Sequence, residues 1–142
     1  MLRLLLDTDT SIAIMNNYPV QVRRQLIRNS VDEVGISAIS VYELQYGVSK
    51  SKKRKQNTHT LNNFLEYIQV MEWTRECAYT AGKLRAELEK TGNLIGPYDL
   101  LIAAHARTLK ATLVTHNVKE FERVGGLKIK DWVEGSQVPS QG

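Results

Sequence analysis

Along this chain, short continuous runs of aliphatic residues alternate with longer stretches in which apolar positions recur every three to four residues. The runs predict buried strands and the stretches predict helices. "LRLLL" (2–6), "VGIS" (34–37), "QVMEW" (69–73), "ATLVTH" (111–116) and "LKIKDW" (127–132) read as strands, the last as an edge strand. Helices are expected over 10–17, 20–29, 38–51, 60–68, 74–93, 97–110 and 118–124. Asp9 or Thr10 is the expected N-cap of the first helix, Gly92 the C-cap signal of the fifth, and Pro97 occupies the first turn of the sixth. Such strand–helix alternation predicts an α/β domain with a parallel sheet covered by helices. One domain is expected over 1–133; the polar tail "EGSQVPSQG" (134–142), rich in Gly, Pro and Ser, is expected to be disordered.

Composition narrows the class without changing this picture. The 142 residues are 42% hydrophobic and 24% charged, as expected of a soluble globular protein large enough for one core. No apolar run approaches the roughly 18 residues of a membrane span, and the N-terminal run lacks a cleavage site of small residues. Cys77 is the single cysteine, so no internal disulfide forms and a reducing cytoplasm is the expected compartment. The net charge of +4 leans mildly toward polyanionic partners.

Three carboxylates stand where an ordinary helix or strand would not put them. Asp7 follows the first strand directly, and in an open parallel sheet ligands bind beyond the carboxyl ends of the strands. Glu43 shares a helical stripe with Ile39, Tyr46 and Gly47, and Asp99 shares one with Ile102, Ala103 and Ala106; both stripes are expected to face the sheet. A carboxylate on a buried face is unfavourable unless compensated, and a divalent cation compensates several at once. Each also has a plain structural reading: Asp99 favouring its helix dipole, Asp7 capping a helix, Glu43 pairing with a buried arginine.

"LLLDTDTSI", "ISAISVYELQYG", "IGPYDLLIAAHA" and "LVTHNVKEFERVGGLKIKDW" occur in the order of the signatures of PIN-domain ribonucleases, and the chain resembles the VapC-type toxins of bacterial toxin–antitoxin pairs over about residues 1–133. The resemblance implies a PIN-like three-layer α/β/α fold with a central parallel sheet. It also implies a metal-dependent endoribonuclease in which Asp7, Glu43 and Asp99 hold Mg²⁺, or Mn²⁺, with Asn117 at a fourth position that is acidic in many members. A cognate antitoxin, a homodimer, and a structured RNA substrate, transfer RNA prominent among them, are further implied, with arrest of translation as the outcome. Bound Mg²⁺ prefers oxygen ligands and lowers the pKa of a water that attacks phosphorus in line. The chain departs from the family at Asp9, where the usual residue is Asn: Asp9 adds charge to the site, caps the helix, or marks altered activity. Thr8 and Thr115 are candidate supporting hydroxyls, or ordinary strand-end threonines.

Two other readings remain open. A strand followed by "DTDTS" also resembles the start of haloacid-dehalogenase-type phosphatases, but none of Asp99, Glu120, Glu122, Asp131 and Glu134 stands in the Gly-Asp setting such enzymes use for Mg²⁺. A domain that binds RNA or protein without cutting would keep the basic run Lys50, Lys52, Lys53, Arg54 and Lys55 and the cluster Arg23, Arg24 and Arg28. The candidate RNA contacts are Lys52, Lys53, Arg54 and Lys55, unless the run is simply a solvated face. His59, His105 and His116 have no metal-ligand spacing; His105 reads as a packed residue and His116 as a neighbour of the site. Tyr46, Tyr98, Trp73 and Trp132 read as packing residues, with base stacking the alternative for the two tyrosines.

Overall fold

The computed structural model describes residues 1–134 and the backbone of 136–141. Its elements are β1 (Leu4–Leu6), α1 (Thr8–Asn16), α2 (Val20–Ile27), β2 (Val34–Ser37), α3 (Ala38–Lys50), α4 (Arg54–Tyr67), β3 (Gln69–Met71), α5 (Arg75–Lys90), α6 (Pro97–Leu109), β4 (Thr112–Val114), α7 (Val118–Phe121), β5 (Leu127–Asp131) and β6 (Ser136–Gln141). The sheet runs β3-β2-β1-β4-β5-β6, the first five strands parallel and β6 antiparallel to β5. This is the α/β class that the strand–helix alternation predicts. The strand β5 is therefore not an edge, and the stretch expected to be a disordered tail carries a strand over Ser136–Gln141; Gly135 and Gly142 lie outside the described residues.

Side chains of β1 and β4 alternate between two apolar layers, because successive residues of a strand point to opposite faces. Leu5 and Leu113 join Leu84, Leu88, Ile102 and Ala103 beneath α5 and α6. Leu4, Leu6 and Val114 join Ile14, Leu26, Leu44, Leu61 and Phe64 beneath α1 to α4. Both faces are covered, which explains why these strands read as continuous apolar runs. Among the described residues no helix is long and apolar enough to cross a membrane.

Two helix starts differ from expectation. The N-cap of α1 is Asp7, not Asp9 or Thr10: its carboxylate accepts the Thr10 amide at 2.8 Å. The helix α4 begins at Arg54, inside the basic run, and not at 60; only Leu61 and Phe64 are buried, so its first two turns carry no apolar period to read.

Gly35 sits where β2 passes closest to its neighbours. A Cβ there would lie 2.9 Å from Leu2 Cδ1 and 3.1 Å from the Gln69 carbonyl oxygen. Gly35→Ala is expected to destabilise the fold by about 1–3 kcal/mol, the usual range for overpacking, with the shift read from urea denaturation midpoints.

Candidate active site

Chain order reverses between β1 and β4: β2 and β3 continue on one side of β1, β4 and β5 on the other. That switch point opens a crevice beyond the strand ends. Leu6 is in register with both Ile36 and Val114, so Asp7, Ser37 and Thr115 emerge from three adjacent strands at one level. Asp7 is only 3% exposed. Burial pushes its carboxyl up to about 6, against hydrogen bonds from Thr115 and Thr10 that favour the charged form. The Asp7 capping role and its place at the site are thus one arrangement, since the carboxylate that closes α1 also lines the crevice.

Asp99 lies in the first turn of α6, half-buried, with Ile102, Ala103 and Ala106 below it in the core as expected. Its carboxyl is pushed up to about 7, chiefly by burial, then by a hydrogen bond to Glu120 and the charges of Glu120, Asp7 and Glu43. Four carboxylates therefore act on one small volume. Glu120 is the member that motif matching missed. It stands in the short α7, one turn beyond Asn117, and its Oε1 accepts the Gly96 amide at 2.8 Å while its Oε2 accepts from the Asn117 side-chain amide. The signal for it was the spacing "NVKE", because residues three apart on a helix share a side. Asn117 itself holds Glu120, so a fourth carboxyl group joins the site through it. Gly96 leaves room for the pair: a Cβ there would sit 3.4 Å from Glu120 Oε1 and 3.5 Å from Asp99 Oδ2.

Glu43 is half-buried on the flank of α3 rather than on its sheet-facing stripe, which is formed by Ser40 and Leu44. The Thr8 hydroxyl donates to Glu43 Oε1 at 2.6 Å and lies 3.0 Å from Ser40 Oγ. Thr115 accepts the Asn117 amide at 2.9 Å, linking β4 to α7. Asp9 is exposed and its charge reaches Asp7, the smallest of the causes acting there. Among the described residues no three Asp, Glu, His or Cys side chains already surround one point in ligating geometry.

The remaining expectations separate clearly. Lys52, Lys53, Arg54 and Lys55 are all exposed at the α3–α4 turn, whereas Glu43 lies seven residues before Lys50, about 10 Å along α3 at 1.5 Å per residue. His105 is buried, with Nδ1 2.7 Å from Ser37 Oγ and its ring edge-on to Trp73; burial pushes its pKa down. Trp132 is buried as expected. Tyr46 and Tyr98 are not packing residues: they are 59% and 42% exposed. Tyr98 pairs with Tyr42 through hydroxyls 3.1 Å apart, and Lys50 stands over the Tyr46 ring. The two mainly apolar hollows lie elsewhere, and the hollow beside the acidic end is lined by polar and charged side chains, among them Asp9, Asn117 and Asp131.

The model of the PIN domain family matches residues 4–127. Ribonuclease VapC2 of Rickettsia felis is 42% identical over 129 residues, 90% of this chain and 96% of that protein. The tRNA(fMet)-specific endonuclease VapC of Shigella flexneri is 39% identical over 132 residues, 93% of this chain and 99% of that protein. The crystal structure of DNA-bound VapBC from Salmonella typhimurium superposes with a TM-score of 0.89 at 37% identity, covering 93% of this chain and 99% of that one. With its carboxylates gathered at the β1/β4 switch point and these relatives spanning nearly its whole length, the chain belongs to the PIN-domain family and, within it, to the VapC ribonucleases.

Proposed function

We propose that this RNA-cleaving hydrolase is a toxin endoribonuclease that uses Mg²⁺ or Mn²⁺, acts in the cytoplasm on structured RNA of the transfer-RNA class, works as a homodimer and is restrained by a cognate antitoxin. The observation that carries the metal assignment is the meeting of Asp7, Glu43, Asp99 and Glu120: burial holds the Asp7 carboxyl near 6, and burial together with the other three carboxylates holds that of Asp99 near 7. An all-oxygen, strongly anionic donor set suits a hard divalent cation and no softer one. Asp7, Glu43, Asp99 and Glu120 would hold it. When bound, the ion supplies a water of lowered pKa and offsets charge accumulating on phosphorus.

The chain's own groups do the rest. Asn117 and Gly96 orient Glu120, Thr8 orients Glu43, and Thr115 steadies Asp7, so the carboxylates are aimed before substrate arrives. Water adds to phosphorus as the bond to the leaving ribose oxygen breaks, and that oxygen takes up a proton. Support for transfer RNA comes from the Shigella relative, and support for an antitoxin from the likeness to the VapBC structure of Salmonella typhimurium. The family match decides against the phosphatase reading.

The test is end-mapping of transfer RNA incubated with purified protein in Mg²⁺ or Mn²⁺ and in EDTA. Discrete new ends that need the divalent ion are expected; intact RNA at every protein concentration would overturn the activity and leave the non-cutting binder. For the basic turn, replacing Lys52, Lys53, Arg54 and Lys55 with Ser is expected to weaken RNA binding and flatten its salt dependence. The log–log slope should fall by up to about 3 to 4, as fewer counterions are released. An unchanged slope would make the turn a solvated face.

A further inference from the structure

His116 is the one residue of the Thr115–His116–Asn117 run that the acidic centre does not use. Thr115 bonds Asp7 and Asn117 bonds Glu120, so His116 is anchored between two parts of that centre. Its side chain is 56% exposed, yet its Nδ1 lies 3.0 Å from Oδ2 of Asp131, whose side chain is only 4% exposed. The other oxygen of Asp131 accepts the Val133 amide at 2.9 Å and the Glu134 amide at 3.3 Å, which locks the carboxylate in the turn after β5. A carboxylate facing Nδ1 keeps a proton on that nitrogen and fixes the ring, so of the two neutral tautomers the one selected has Nε2 as the acceptor. His116 borders a hollow of about 680 Å³ shared with Asp9, Asn117, Lys119 and Glu134.

Asn117 lines this hollow and also holds Glu120, so the hollow adjoins the acidic centre and borders the place to which an RNA strand would be delivered. Its phosphates are acceptors only, poorly matched to an Nε2 lone pair among carboxylates and better suited to Lys119. Its bases vary. The ribose 2′-hydroxyl is a donor that every ribonucleotide carries, and it distinguishes RNA from DNA. We propose that His116, oriented by Asp131, accepts a hydrogen bond from the 2′-hydroxyl of a nucleotide flanking the scissile phosphate and is a specificity-determining residue for ribose. The proposal rests on the nuclease reading above.

The experiment uses an RNA oligonucleotide spanning a mapped cut, with single 2′-fluoro substitutions at each flanking nucleotide, cleaved in Mg²⁺ by the parent, His116→Ala and Asp131→Asn. Fluorine keeps the size of the hydroxyl but cannot donate. The parent is expected to lose about 5- to 10-fold in kcat/KM at one position, the effect of one hydrogen bond. His116→Ala should show the same loss on all-RNA substrate and no further loss at that position. Asp131→Asn keeps the turn through its carbonyl oxygen but faces Nδ1 with a donor, so Nε2 becomes a donor and the fluorine penalty should shrink. Thermal unfolding checks that both variants remain folded; if Asp131→Asn does not, His116→Ala alone decides. A fluorine penalty that persists in His116→Ala, or one seen at no position in the parent, overturns the proposal. Failure of the parent to cut all-RNA substrate would instead overturn the nuclease reading, and this inference with it.

Discussion

Asp7→Asn is expected to abolish cleavage and at the same time to make the metal-free protein more stable at pH 7.5. Asparagine caps a helix about as well as aspartate, so the Thr10 bond survives the change. What disappears is a buried negative charge. The Asp7 carboxyl is raised to about 6, above its ordinary value, so its contribution to stability is fully present below about pH 4 and is lost as the pH rises through 6. Asn carries no such loss. At about 1.4 kcal/mol per pKa unit the variant should gain roughly 3 kcal/mol at pH 7.5 and nothing near pH 4. Thermal unfolding in EDTA across that range measures it. Mg²⁺ should raise the melting temperature of the parent much more than that of the variant, because stabilisation by a ligand follows affinity for the folded state. A variant that cuts at the parental rate would remove Asp7 from the chemistry. One that is less stable at pH 7.5 would leave Asp7 as a cap alone.

Glu120→Gln should lower cleavage by at least about 100-fold, beyond the usual 10- to 100-fold cost of losing a supporting partner, if Glu120 is itself a ligand. The glutamine carbonyl can still accept from Gly96, so the loop before α6 should keep its place. Asn117→Ala leaves the carboxylate and removes only the amide that orients it, and a smaller loss, about 10-fold, is expected. Glu120→Gln should also lower the Asp99 carboxyl toward its ordinary range, since a hydrogen bond and a charge from Glu120 help to raise it. The order of the two variants is what decides. Equal losses would make Asn117 a direct participant, and a larger loss for Asn117→Ala would return Glu120 to a merely structural bond with Gly96.

Much of this was legible because some signals depend on a few neighbouring residues. The β2 boundaries at Val34 and Ser37, the start of α6 at Pro97 and the position of Asp7 beyond β1 follow from aliphatic runs, proline geometry and strand ends, all local in sequence. Asp7, Glu43 and Asp99 stood out because carboxylates there break an apolar context or fill a family motif. The start of α4 was illegible because two exposed basic turns have no apolar period, and Tyr46 and Tyr98 were misplaced because an aromatic on a helix stripe looks alike whether that stripe meets the sheet or solvent. Only the tertiary structure could bring Glu120 to Asp99: the two are 21 positions apart, on different helices, and meet because α6 starts, and β4 hands over to α7, at the same crevice. The raised carboxyls of Asp7 and Asp99 are likewise decided by the fold, because burial and like charges at short range are properties of assembled layers, while the sequence by itself determined which residues were available to be assembled.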